Sequence, residues 1–110
     1  MIAFLTLGKN MISINHKKHY RTIGHKLKPV VTVAGRGLTD SVINEIDRAL
    51  EDHELIKIKM AISDRQLRQS LTETLCSRLQ AELIQGIGKI ALIFRKAKKP
   101  DARKSNLINV

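Results

Sequence analysis

The sequence predicts an α+β or α/β two-layer sandwich in the order α-β-α-β-α-β-β, with three helices on a four-stranded mixed sheet. Three observations carry this. Helical apolar spacing recurs in three separate stretches. A β-branched run and an alternating run stand between them. The chain then closes on two short apolar runs joined by a glycine-led pair, the signal of a hairpin. At 110 residues and 43% apolar content, the chain has room for one domain with one core.

Met1 to Asn10 match no element that follows and read as an upstream extension, with Met11 as an alternative start. The domain is expected over residues 11–96, and a basic flexible tail over 97–110, where the apolar pattern collapses. From Ile12 to Leu27 the apolar positions are sparse. Tyr20, Ile23 and Leu27 fall at spacings of three and four, which predicts a helix with one narrow buried stripe. Gly24 weakens its later part, and Pro29 ends it. Val30 to Val33 is the first strand; with apolar residues on both faces it reads as central. Thr39 is the expected N-cap of the second helix, and Asp40 complements its dipole. Val42, Ile43, Ile46, Ala49 and Leu50 form the buried stripe, while Asn44, Glu45, Asp47, Arg48 and Glu51 face water. Leu55 to Ile62 alternates, with Ile56, Ile58, Met60 and Ile62 on one face and Lys57, Lys59 and Ala61 on the other, a half-buried strand. Ser63-Asp64 caps a third helix whose Leu67, Leu71, Leu75 and Leu79 form an i, i+4 row beside Cys76. Leu83–Ile87 and Ile90–Phe94 form the hairpin, with Gly88-Lys89 as a type II′ turn.

The charge is unusual: 20 basic against 10 acidic residues, a net of +10 and a pI near 10.2. It is also unevenly placed. Residues 1–38 carry seven basic side chains and no acid, residues 39–88 a net of −3, and residues 89–110 a net of +6. The middle is an ordinary globular surface and both ends are cationic, which points to a polyanionic partner. Cys76 is the single cysteine, so no internal disulfide forms and a reducing compartment is expected. No run approaches transmembrane length, and Ile2–Leu7 is too short for a signal h-region. These features predict a cytoplasmic protein with no membrane partner.

Candidate chemistry narrows by elimination. Glu51, Asp52 and Glu54 cluster at a helix end, where a solvated group is expected rather than a catalytic one. Cys76 sits on the apolar side of its helix and is expected in the core. His16, His19 and His25 lie among lysines without a cysteine or acidic ligand nearby, which argues against zinc. His53 near a helix C-terminus serves as an end charge or polar cap. Gly86-Ile87-Gly88-Lys89 lacks the phosphate-loop frame, and Gly35-Arg36-Gly37 lacks the third glycine of a dinucleotide fingerprint, since Asp40 stands there. No enzyme activity, cofactor, metal or small-molecule substrate is expected.

Pro29 to Asp40 draws the charge argument to one place. A strand ends in the small turn Ala34-Gly35-Arg36-Gly37 and a helix starts at Thr39, so backbone N–H groups face whatever lies outside the turn. A nucleic-acid phosphate is the first candidate. The aromatic set, Phe4, Tyr20 and Phe94, is too small for a reader that stacks several bases. Phosphate and sugar contacts to a structured RNA fit better. No helix-turn-helix, zinc-finger or basic-zipper layout is present.

The chain resembles the YhbY-type members of the CRM (chloroplast RNA splicing and ribosome maturation) domain family. The resemblance rests on Leu27-Lys28-Pro29-Val30-Val31, Gly37-Leu38-Thr39, Glu45-Ile46 with Ala49-Leu50, His53-Glu54-Leu55-Ile56-Lys57-Ile58-Lys59, Asp64-Arg65, and Ile87-Gly88-Lys89 through Arg95. It covers about residues 11–96. It implies a fold like the C-terminal domain of translation initiation factor 3, and a G-x-x-G loop after the first strand, analogous to that of KH domains. It also implies RNA binding, in bacteria to precursors of the large ribosomal subunit. The family's first loop glycine falls on Ala34, a departure that bears on the loop's conformation.

The expectation is a monomeric, non-enzymatic protein that binds ribosomal RNA during large-subunit assembly. Ala34, Gly35, Arg36, Gly37, Leu38 and Thr39 form the loop. Lys17, Lys18, Lys26 and Lys28, with Arg95, Lys96, Lys98 and Lys99, are expected to converge with it on one face. The alternatives are a module docking on a ribosomal protein or GTPase through the acidic central helix, a general nucleic-acid chaperone, and an RNA-modifying enzyme, which the missing nucleotide fingerprint disfavours.

Overall fold

The computed structural model describes residues 14–107, so the upstream extension at 1–10 lies outside the described residues. The expected elements follow in the expected order: α1 (Ile14–Gly24), β1 (Pro29–Val33), α2 (Asp40–His53), β2 (Leu55–Met60), α3 (Arg65–Leu79), β3 (Glu82–Ile87) and β4 (Ile90–Phe94). They build one mixed sheet of order β1-β2-β4-β3. β1 runs parallel to β2, and the other neighbours are antiparallel. Gly88 turns the hairpin with φ +56, while Lys89 has no positive φ, as a type II′ turn requires.

The main core lies on one face of the sheet. Ile43, Ile46 and Leu50 of α2 and Leu75 and Cys76 of α3 pack against Val31, Val33, Ile56, Ile58, Met60, Ala91 and Ile93. Capping sets where both helices start. The Thr39 hydroxyl accepts from the Val42 amide at 3.2 Å, and the Asp64 carboxylate from the amides of Gln66 and Leu67 at 2.9 and 3.3 Å. The leucine row of α3 is only partly buried. Leu67 is 48% exposed. Thr72 takes a place in the buried stripe instead, and its hydroxyl is satisfied by donating to the Arg68 carbonyl at 2.8 Å. Cys76 is buried as expected, and that burial pushes its thiol up to about 11.

The two expected layers gain a third. Tyr20, Ile23 and Leu27 pack on the opposite face, against Leu55, Ile84, Leu92, Phe94 and Leu107. The rings of Tyr20 and Phe94 lie 4.9 Å apart. Gly24 is what lets α1 approach so closely: a Cβ there would lie 2.5 Å from Leu92 Cδ2. The residue that weakens the helical signal in the sequence is thus a packing residue.

Two expectations are corrected. β1 is an edge strand, not a central one. Val31 and Val33 are buried, but Val30 is 47% exposed on the α1 side, which α1 does not reach. A short all-apolar run reads the same at either position, since β-branched residues favour strands with or without full burial.

The second correction concerns residues 97–107, which fold back as a strap over the end of α2. Glu54, expected in a solvated cluster, is 5% exposed. Its carboxylate accepts from the Ala97 amide at 2.8 Å and the Ser105 hydroxyl at 2.7 Å. Glu51 accepts from the amides of Lys98 and Lys99 at 3.2 and 3.1 Å. The Asn106 amide donates to the His53 carbonyl, and its side chain to the Leu55 carbonyl. His53 Nδ1 lies 2.7 Å from the Lys104 carbonyl and so acts as donor there.

Glu51 gives the strap a pH signature. The backbone bonds from Lys99 and then Lys98 hold its carboxyl below its ordinary 4.5. A depressed pKa stabilises the folded form above the ordinary value, and the contribution is lost as pH falls through the lowered one. The amide resonances of Lys98 and Lys99, followed by NMR through an acid titration, are therefore expected to inflect below pH 4.5. Inflection at or above it would mean that Glu51 does not hold these amides in solution.

Candidate nucleic-acid interface

The turn after β1 is built as the sequence suggests, with one change in which glycine matters. Ala34, Gly35 and Arg36 are exposed. The Gly37 amide donates back to the Ala34 carbonyl at 2.8 Å, closing a four-residue turn. The two central residues have no positive φ, which leaves a type I turn, and Gly37 at its fourth position takes φ +73. Ala34 has no positive φ either, so alanine at the family's first loop glycine costs no backbone strain. Open space surrounds Gly35 and Gly37. Thr39 then caps α2, whose positive dipole end lies just behind the turn.

The face of the sheet that carries α1 is only partly covered. Cross-strand partners share a face. Thr32 stands opposite Lys59, Lys59 opposite Ile90, and Ile90 opposite Ile87, so one row crosses all four strands, about 14 Å from β1 to β3. The next row contains Lys57, Leu92 and Gln85. α1 covers the row beyond, through Leu55 and Phe94, and reaches Leu92 through Gly24. The first row is left open: Thr32 and Lys59 are exposed, and Ile87 is 64% exposed. Along the side of α1, Lys18, Arg21, Thr22, His25 and Lys26 form one wall of a groove whose other side is Gln85 and Ile87. A smaller hollow continues it past Lys57, Ile90 and Leu92. Neither contains a carboxylate. The clefts beside α3 and beside the strap do, with Glu73 in one and Asp47, Glu51 and Glu82 in the other.

The expected site residues therefore fall into separate groups. Arg36 and the turn stand at the end of β1 where Ala61 N–H meets the Val33 carbonyl and Met60 N–H the Lys89 carbonyl. Lys18 and Lys26 line the groove, and Lys28 lies at the far end of β1. Lys17 is drawn to the foot of the sheet, 3.7 Å from Glu82. Lys96, Lys98 and Lys99 leave β4 beyond Phe94, which pairs with Leu55 at the start of β2. The length of β2, about 17 Å, separates them from the turn, so the two groups stand at opposite ends of the sheet. Arg95 is engaged within the fold. Its guanidinium donates to the Asp47 carboxylate at 2.7 Å, the Asp47 carbonyl at 3.0 Å and the Leu79 carbonyl at 3.2 Å, tying β4 to α2 and α3.

The groove and its continuation add Arg21, His25 and Lys57, and the open row adds Lys59. The signal for the last two was in the sequence, since the alternation of β2 puts them opposite Ile56, Ile58 and Met60. Among the described residues no helix is long and apolar enough to cross a membrane.

Comparison with known proteins finds relatives named for RNA binding. The family described as CRS1 / YhbY (CRM) domain matches residues 12–95. A Pseudomonas aeruginosa protein named probable RNA-binding protein is 50% identical over 91 residues, covering 83% of this chain and 88% of that one. A Haemophilus influenzae protein named RNA-binding protein is 36% identical over 88 residues, covering 80% and 89%. The solution structure of a hypothetical protein from Staphylococcus aureus superposes with a TM-score of 0.72 at 30% identity, covering 81% of this chain and 93% of that one.

Proposed function

From the premise that the chain belongs to the CRS1 / YhbY (CRM) domain family, we propose that it is an RNA-binding protein of the cytoplasm, acting on ribosomal RNA in precursors of the large ribosomal subunit. It works without chemistry of its own, as a monomer that contacts RNA through the Ala34–Gly37 turn and the cationic surface beside it. RNA as partner is supported by the names of its relatives. The ribosomal target follows from the family resemblance.

The observation that carries the reading is the separation of charge across the sheet. The exposed acids of α2 lie on one side, and the carboxylate-free groove with Lys57 and Lys59 on the other. A polyanion is attracted to one face and repelled from the other, which orients it before contact. The turn then offers phosphate the Arg36 fork, with a helix N-terminus behind it.

Crosslinking in cells with sequencing of the bound RNA tests this. Large-subunit ribosomal RNA is expected to be enriched at a few places, and an Arg36→Glu variant is expected to lose that enrichment with its fold intact. Diffuse recovery of all RNAs, equal for both proteins, would overturn the assignment.

A further inference from the structure

We propose that the open row Thr32–Lys59–Ile90–Ile87 and the groove along α1 form a second contact surface, one that holds an unpaired RNA segment. This rests on the reading of the protein as RNA-binding and specifies which kind of RNA that face takes.

The argument begins with what the face lacks. Its lining carries Lys18, Arg21, Lys26 and Lys57 and no carboxylate, so its occupant is anionic. The floor at that end, by contrast, is apolar: Ile87 is 64% exposed and Ile90 half-buried beside it. Exposed isoleucine beside a cationic wall has no role against a folded RNA helix, which presents phosphates and sugar hydroxyls to a protein and keeps its base faces stacked inside. An unpaired strand presents both kinds of surface. Its phosphates suit the wall of α1, and its base faces suit a flat apolar floor. The Gln85 side chain, between wall and floor, offers a donor and an acceptor to a base edge.

Position supports the same occupant. The row ends at Thr32 on β1, one residue before Val33, where the chain enters the Ala34–Gly37 turn. A strand crossing the sheet therefore runs from the phosphate-facing turn past Lys59 and over the apolar floor to the cationic wall of the groove. The turn grips backbone, and the row receives bases.

The test places the same charge at two exposed apolar sites. Ile87→Glu puts a carboxylate at the β3 end of the row, where it borders the groove. Leu67→Glu, on α3, puts one on the opposite side of the sheet, where Leu67 is 48% exposed. Both positions are open enough for thermal melting to stay near that of the wild type. Fluorescence anisotropy is read with a short mixed-sequence RNA single strand and with its duplex. Wild type is expected to prefer the single strand. Ile87→Glu is expected to weaken that binding about 10-fold, while Leu67→Glu changes it by no more than about 2-fold. If wild type binds and the two variants behave alike, the row is not a contact surface and the inference falls while the RNA reading stands. If Ile87→Glu weakens the duplex and the single strand equally, the unpaired-segment assignment falls. If wild type binds neither RNA, the reading of the protein as RNA-binding falls and takes the inference with it.

Discussion

Glu54→Ala is expected to destabilise the fold by about 2–4 kcal/mol and to release residues 97–107. The estimate comes from what the carboxylate holds. It accepts from the Ala97 amide and the Ser105 hydroxyl, at a site 5% exposed. Bonds to a charged acceptor contribute about 1.5–3 kcal/mol each, and removing the acceptor strands both donors. The loss has a ceiling, because the strap can peel away and rehydrate those donors. The remaining cost is then that of exposing Ala97 and Leu107 and of uncovering the second core cluster. Glu54→Gln separates the carboxylate's charge from its shape. A glutamine can accept from the Ala97 amide and donate to Ser105, whose hydroxyl already accepts from Leu107 and has a second lone pair. It is expected to lose less than half as much. Urea unfolding gives the energies, and protease cleavage between residues 97 and 107 reports release of the strap. If Glu54→Ala unfolds at the wild-type midpoint and cuts no faster, the strap is not held by Glu54.

Glu54 also shows why the strap was hidden from sequence reading. Its backbone sits at φ +64, a position at which glycine usually ends a helix. Glutamate there signals that the side chain is worth the strain. Yet its partners lie 43 and 51 residues away, and no local pattern connects them. Residues 97–107 are polar, carry one buried alanine, and hold on through other residues' carboxylates and carbonyls. Composition alone reads such a segment as a tail. Where apolar periodicity was strong, in α2 and β2, the reading held. Ile43, Ile46 and Leu50 went to the core, and Ile56, Ile58 and Met60 shared a face. Where it was short, the reading failed, because Val30–Val33 has no period that tells edge from centre.

The candidate site follows the same division. Thr39 as a cap and the turn before it were visible because caps and turns are local chemistry. The grouping of lysines was not, because it depends on which end of the sheet each segment leaves. Lys96–Lys99 and Arg36 look alike in composition, yet the antiparallel pairing of β4 with β2 sends them to opposite ends. Arg95 looked like one more cation and is a bolt between α2, α3 and β4.

That geometry makes the largest binding effect a matter of place rather than of charge count. Lys57→Glu with Lys59→Glu and Lys98→Glu with Lys99→Glu change the net charge equally. If RNA responded to the total, the two variants would be equivalent. They differ in where the potential changes. Lys57 and Lys59 stand on the open face within one strand of the Ala34–Gly37 turn, whereas Lys98 and Lys99 lie on the strap, with Glu51 holding their amides. Over the length of β2, about 17 Å, physiological salt screens most of an exposed charge, since the Debye length is about 8 Å. The sheet variant is therefore expected to weaken RNA binding about 100-fold, with the slope of log affinity against log salt reduced by about two. The strap variant is expected to lose only a few-fold. Lys57→Gln with Lys59→Gln removes the charge without adding repulsion and should fall between them, and melting curves of all three show whether the fold is kept. Equal losses for the sheet and strap variants would mean that the protein attracts RNA by net charge alone, and the open face would have no claim over any other part of its surface.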